Sequence, residues 1–159
     1  MVIVGTDVHK RTHTFVAVDE VGRQLGHKVV PATTPGHLKA LNWAREQFGE
    51  HLLWGIEDCR NLSARLERDL LSMGQAVVRV APKLTAQTRA SARTRGKSDP
   101  IDALAVARAV LREPDLPTAC HDTGSRELKL LVDRHESSVC KSQTPGEKNP
   151  TTAQRHLSP

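Results

Sequence analysis

Aromatic residues, paired cysteines and long apolar runs are all scarce in this chain of 159 residues. Two Trp, two Phe and no Tyr argue against a base-stacking platform of the type that binds single-stranded nucleic acid. The three cysteines are widely spaced and form no pair motif, which argues against a disulfide framework or a zinc site and indicates reduced thiols in a cytoplasmic protein. No apolar run approaches the roughly 20 residues of a membrane span, so no membrane partner is expected.

Positive charge predominates and is unevenly distributed along the chain. The formal net charge is +5, which favours polyanionic partners. Residues 70–98 contain no Asp or Glu. A solvated basic surface and a track along a nucleic-acid backbone are both open interpretations of this basic segment. On the second interpretation, the candidate nucleic-acid-binding residues are Lys83, Arg89, Arg93, Arg95 and Lys97.

The periodicity of apolar residues predicts a mixed α/β domain. Three strands joined by short connections are predicted at residues 1–8, 12–19 and 25–30, as an antiparallel meander. A helix (34–48), a strand (52–56), a helix ending near 73, a strand (76–80) and a helix (99–111) follow. Because the later strands alternate with helices, they are predicted to be parallel, with right-handed crossovers. This is the ribonuclease-H-like layout, a mixed five-stranded sheet flanked by helices, in which the first and fourth strands are neighbours.

Four carboxylates are the most informative feature of the sequence. Asp7 ends the apolar run of the first strand, and Glu57 ends that of the fourth. Asp99 and Asp102 stand three residues apart at the start of a predicted helix, where they share a face. Oxygen ligands suit Mg²⁺ or Mn²⁺, and two such ions about 3.5–4 Å apart are a recurring device of phosphodiester chemistry. In a basic chain, these acids predict an enzyme that processes nucleic acids.

The sequence leaves structural roles for the same acids open. Asp7 is also compatible with a role as a turn-forming residue after the first strand. Asp99 can be the N-cap of its helix, with Pro100 as the first helical residue and Asp102 as the third, which resembles a capping box. Two other acids, Asp7 and Glu57, lie at strand ends, and their presence favours metal binding over capping.

The fourth strand leaves a choice between two adjacent acids. Glu57 is followed by Asp58 and then, two residues later, by Arg60, so a surface ion pair is one alternative. Glu57 shares one side of the strand with Gly55, whereas Asp58 lies on the other side. We therefore favour Glu57 as the acid of the site.

The segment after the first strand is interpreted as an exposed hairpin. It contains His9, Lys10 and His13, which are able to position phosphates. Exposed hairpin residues without a role are the favoured interpretation of all three.

Three motifs, in this order, resemble the DEDD transposases of bacterial insertion sequences, the "one-ten" family: Gly5-Thr6-Asp7-Val8-His9-Lys10, Gly55-Ile56-Glu57-Asp58 and Lys97-Ser98-Asp99-Pro100-Ile101-Asp102-Ala103. The resemblance covers roughly residues 1–135. It implies a first domain similar to the Holliday-junction resolvase RuvC. It also implies that Asp7, Glu57, Asp99 and Asp102 are the catalytic, metal-binding tetrad, with Mg²⁺ (or Mn²⁺) as cofactor.

The same resemblance implies an activity and its partners. The activity is DNA transposition and recombination through metal-dependent cleavage and exchange of DNA strands. The implied partners are DNA, a structured guide RNA and, in the full-length family, further copies of the chain in a homo-oligomer.

One departure from the family pattern concerns the end of the chain. The family continues through a coiled coil into a second domain with a nucleophilic serine. We predict a RuvC-like domain at 1–124, the start of a coiled-coil helix at 125–136, and a polar tail at 137–159 that cannot order itself. The expectation is a truncated or frameshifted copy without the serine domain, whose enzymatic activity is an open question.

Two alternative functions come from the same residues. A nucleic-acid-binding remnant without catalysis needs only the basic segment and no metal. An ATP-binding protein of the actin-like or sugar-kinase fold is suggested by the opening Gly5-Thr6-Asp7. The bulkier Val8-His9-Lys10 that follows argues against a phosphate loop there.

Overall fold

The structure, a computed structural model, describes residues 1–58, 62–90 and 98–120. Its elements in chain order are β1 (Val2–Val8), β2 (Thr12–Val18), β3 (Gln24–Pro31), α1 (Thr34–Phe48), β4 (Leu52–Glu57), α2 (Ala64–Ser72), β5 (Ala76–Val80), α3 (Pro82–Ala90) and α4 (Asp99–Arg112). Each predicted strand is present, and α3 is an additional helix that the sequence pattern did not predict. None of the described helices combines the length and the apolar character that crossing a bilayer requires.

The strands form one mixed sheet in the order β3-β2-β1-β4-β5. β1 pairs antiparallel with β2, and β2 with β3, whereas β4 lies parallel to β1 and β5 parallel to β4. The predicted meander, the parallel later strands and the adjacency of the first and fourth strands are all confirmed. β1 lies at the centre because its residues are apolar almost throughout and are buried on both faces.

Helices cover both faces of the sheet. α1 and α2 pack on one face, over a cluster that includes Val4, Phe15 and Trp54. α4 packs on the other face, over a cluster that includes Ile3 and Val16. Strand residues divide between the two clusters because successive side chains of a strand point to opposite faces.

α4 lies close to the sheet because two glycines face it. Gly5 in β1 and Gly55 in β4 are partners in the strand register. A Cβ added at Gly5 would lie 2.2 Å from the carbonyl oxygen of Ala103 and 2.4 Å from the backbone nitrogen of Ala107. A Cβ added at Gly55 would lie 2.6 Å from a methyl carbon of Val110. The two glycines therefore set the height of α4 above β1 and β4.

A buried histidine pair lies on the opposite face, beneath α1. His13 is only 2% exposed, so the prediction that it is an exposed hairpin residue is wrong. Its ring stacks on that of His37, with the centroids 5.1 Å apart, and Nδ1 of His37 lies 2.6 Å from Oδ2 of Asp69. Burial lowers the pKa of His13 to about 4, and the neighbouring His37 acts in the same direction. His13 is therefore neutral in the folded protein at pH 7.

The lowered pKa of His13 predicts a loss of stability in mild acid. The unfolded chain takes up this proton near pH 6.5, whereas the folded chain takes it up only near pH 4. The contribution is therefore complete above pH 6.5, falls as the pH drops towards 4, and is constant below that. At about 1.36 kcal/mol per pKa unit, the loss is on the order of 3 kcal/mol. Urea unfolding of wild type and His13→Asn at pH 7 and pH 4.5 measures it.

The matched control for this prediction is His27→Asn, which removes an exposed histidine from β3. We expect the His27→Asn chain to keep the full pH dependence of the wild type. We expect the His13→Asn chain to lose most of it. Equal pH dependence in all three chains would contradict the burial of a neutral His13.

Several predictions concern residues outside the described ranges 1–58, 62–90 and 98–120. The segments 125–136 and 137–159 lie outside the described residues, so the division of the chain at 124 and at 136 stays a prediction. Arg93, Arg95 and Lys97 also lie outside them.

Candidate functional site

Two of the predicted acids lie at the same edge of the sheet. β1 and β4 are parallel neighbours, and their register runs as far as the pair Thr6 and Ile56. Asp7 and Glu57 are the next residues along the two strands. They therefore occupy adjacent positions at the carboxyl ends of the strands, as the sequence predicted.

Both acids lie on the α4 side of the sheet because strand residues alternate. Asp7 follows Gly5 by two residues and Glu57 follows Gly55 by two, and both glycines contact α4. Asp58 has the opposite parity and is exposed. The register therefore favours Glu57 over Asp58 as the acid that faces α4.

The first turn of α4 supplies the other two acids. Ser98 has an extended conformation and occupies the N-cap position, and its carbonyl oxygen accepts from the N–H groups of Ile101 and Asp102. Asp99 is the first residue of the helix, so the alternative in which Asp99 is the cap is wrong. The negative charges of Asp102 and Asp99 both act on Asp7. The helix therefore brings its acidic pair to the edge where β1 ends.

His9 contacts two of these acids, although sequence reasoning gave it no role. Its Nε2 lies 2.9 Å from Oδ2 of Asp7 and 3.5 Å from Oδ1 of Asp99. When this nitrogen carries the hydrogen, it donates to the carboxylate of Asp7. Spacing was the available sign, because a residue two positions after Asp7 lies on the same side of an extended chain.

Asp7 is costly to keep ionised at this position. The residue is 8% exposed, and burial is the main cause that raises the pKa of its carboxyl group. The charges of Asp102 and Asp99 raise it further, whereas His9 lowers it. A bound cation would relieve both the burial and the repulsion between like charges. The position of Asp7 is therefore compatible with a nearby cation.

Glu57 contacts α3, the helix that was not predicted. α3 begins at Pro82, two residues after β5 ends. The fully buried hydroxyl of Thr85 donates a hydrogen bond to Oε1 of Glu57. Proline, two threonines and a weak apolar period concealed this helix in the sequence.

One ligand atom from each of Asp7, His9 and Asp99 lies within 4.8 Å of the others. Glu57 and Asp102 lie outside this group. Carboxylate oxygens and an imidazole nitrogen can together hold a divalent cation. The metal-binding role of the whole tetrad stays a prediction.

The basic residues of segment 70–98 differ in what they contact. Lys83 is exposed in the first turn of α3. Arg79 instead donates from Nε and Nη2 to the carboxylate of Glu67, at 2.7 and 2.6 Å. Arg79 is therefore engaged within the protein. Arg89 belongs to α3, and the remaining candidates lie outside the described residues.

The chain matches a known protein family. The family model of the DEDD transposases of the "one-ten" insertion sequences (IS110), described as a transposase, matches residues 4–150. None of the curated proteins matches the sequence.

Two similar solved structures are both of RuvC from Thermus thermophilus. The first, in complex with Holliday junction substrate, has a TM-score of 0.56 at 15% identity and covers 75% of this chain and 99% of that chain. The second has a TM-score of 0.54 at 17% identity and covers 75% of this chain and 100% of that chain. At this identity the likeness shows the fold, and the predicted ribonuclease-H-like class is confirmed.

Proposed function

This chain belongs to the DEDD transposases of the "one-ten" insertion sequences, and from that membership we propose that its RuvC-like domain cleaves and exchanges DNA strands with a divalent cation. The predicted family resemblance is confirmed, which favours this function over a binding remnant or an ATP-binding protein. The observation that carries the proposal is Asp7, a buried carboxylate within ligand range of His9 and Asp99.

The donor atoms at the sheet edge fit a hard divalent cation. Carboxylate oxygens are the ligands that Mg²⁺ and Mn²⁺ prefer, and burial with like charges makes a cation favourable beside Asp7. We propose Mg²⁺ as the ion, with Mn²⁺ as its substitute. The proposed ligands and catalytic acids are Asp7, Glu57, Asp99 and Asp102, with His9 as an additional ligand.

The residues of the site act by fixing negatively charged side chains in a defined arrangement. When bound, the cation supplies neutralisation of the charge that develops on the phosphate and activation of the attacking water or hydroxyl. Asp7 and Glu57 are fixed by two hydrogen-bonded strands, which hold side chains more rigidly than loops do. The N-terminus of α4 favours the negative charges of Asp99 and Asp102 through its dipole. Before a cation binds, Nε2 of His9 orients the carboxylate of Asp7 when it carries the hydrogen and donates it, and this nitrogen gives up that hydrogen when it becomes a ligand.

Branched DNA is the proposed substrate. The similar RuvC structure holds a Holliday junction substrate, which supports a DNA partner for this chain. Lys83 is exposed where α3 follows β5, and we propose that it contacts the phosphate backbone together with Arg89, Arg93, Arg95 and Lys97. A structured guide RNA and a homo-oligomer are further proposals that rest on the family alone.

Cleavage of a four-way DNA junction in Mg²⁺ tests the proposal with a pair of adjacent acids. Glu57→Gln removes one negative charge from the α4 side, and we expect the cleavage rate to fall about 100-fold. Asp58→Asn removes the same charge from the neighbouring position, and we expect a rate within about twofold of wild type. Equal effects in the two variants would contradict the assignment of Glu57, and no cleavage by wild type would overturn the function.

A further inference from the structure

Thr85 presents a buried hydroxyl to one of the proposed metal-binding acids. It lies in α3 and has no exposed surface. Its Oγ1 donates to Oε1 of Glu57, and the carbonyl oxygen of Pro82 lies 2.8 Å from the same Oγ1. A hydroxyl has one hydrogen, and a charged carboxylate is a stronger acceptor than a carbonyl. The hydroxyl is therefore committed chiefly to Glu57.

A second threonine in α3 provides the comparison. Thr88 is also buried, and its hydroxyl donates to the carbonyl oxygen of Leu84 at 2.9 Å. This bond to the preceding turn is common for threonine in helices. The bond from Thr85 to Glu57 instead connects residues 28 apart in sequence and joins α3 to the end of β4. Helix formation does not require such a bond.

We propose that Thr85 is a positioning residue, which fixes the orientation of the Glu57 carboxylate before a cation binds. This inference rests on the proposed function. A flexible glutamate loses rotamer freedom when it becomes a ligand, and a bond made beforehand removes part of that cost. Hydrogen-bond partners of ligating carboxylates typically contribute 10–100-fold to metal affinity. The site therefore depends on a helix that contributes no ligand of its own.

Calorimetric titration of the full chain with Mn²⁺ tests the role of Thr85. Thr85→Val keeps the shape and removes the donor, and we expect Mn²⁺ binding to weaken about tenfold or more. Thr85→Ser restores the donor, and we expect binding within about threefold of wild type. Thr88→Val removes a buried hydroxyl one turn away, and we expect wild-type affinity.

The possible outcomes separate this inference from the proposed function. Mn²⁺ binding by wild type that is unchanged in Thr85→Val overturns the inference and leaves the function standing. An equal loss in Thr88→Val also overturns it, because the effect would then be general to α3. No Mn²⁺ binding by wild type overturns both. Thr85→Ala removes the same donor with a smaller side chain, so it decides the matter if Thr85→Val does not fold.

Discussion

Asp7→Asn is expected to abolish metal-dependent DNA cleavage and, at the same time, to make the metal-free domain more stable. The amide has the shape of the carboxylate without its charge. Because burial, Asp102 and Asp99 raise the pKa of Asp7, the ionised group destabilises the fold at pH 7. We expect a higher free energy of unfolding, and a loss of at least about 10³-fold in cleavage rate. Urea unfolding in EDTA and junction cleavage in Mg²⁺ measure the two effects.

Asp115→Asn is the control for this prediction, since Asp115 is exposed and its removal changes the net charge equally. We expect it to leave both quantities close to wild type. Retained cleavage in Asp7→Asn would remove Asp7 from the site. A lower metal-free stability in that variant would mean that the contact between Asp7 and His9 outweighs the cost of burial.

Gly5→Ala is expected to destabilise the domain by about 3 kcal/mol, although it adds a single methyl group. The new Cβ would lie 2.2 Å from a carbonyl oxygen and 2.4 Å from a backbone nitrogen of α4, and neither atom can rotate away. α4 must therefore move from the sheet, which opens the packing beneath it. Urea unfolding measures the loss.

Gly26→Ala is the matched substitution for Gly5→Ala. A Cβ added at Gly26 would lie 3.3–3.4 Å from ring atoms of Phe48 and Trp43, and these side chains are able to shift. We expect a change within about 1 kcal/mol of wild type.

The displacement of α4 by Gly5→Ala also reaches the acids. Asp99 and Asp102 lie in the first turn of this helix, so a shift of α4 moves them relative to Asp7. We therefore expect weaker Mn²⁺ binding by the fraction of Gly5→Ala that remains folded. Wild-type stability and wild-type Mn²⁺ affinity in Gly5→Ala would contradict the close approach of α4 to β1.

The sheet and the acidic edge were predictable because they depend on local patterns. Short connections between alternating segments indicated the meander, and helices between the later strands indicated parallel pairing. Together they indicated the ribonuclease-H-like layout, in which the first and fourth strands are neighbours, and this layout placed Glu57 beside Asp7. The preference for Glu57 over Asp58 followed from the period of two residues in a strand.

The remaining features depend on tertiary contacts that no local pattern reports. His13 is buried because α1 and its His37 cover that face of the sheet. Arg79 belongs to an ion pair because α2 places Glu67 beside it. The proposed role of Thr85 depends on α3, and the sequence of this helix has weak helical periodicity. In the sequence each of these residues looks like a polar residue without a partner, and only the fold shows what it contacts.

We infer that the acids at the carboxyl ends of β1 and β4 and at the start of α4 form one divalent-cation site. A thermal melt of the full chain, titrated with Mg²⁺ and Mn²⁺ and compared with that of Asp7→Asn, measures whether this site forms. A ligand that binds only the folded state stabilises it by about 2.7 kcal/mol at 100 times its dissociation constant. We expect a melting midpoint that rises with metal in wild type and stays constant in Asp7→Asn. A constant midpoint in wild type, or the same rise in both chains, would contradict it.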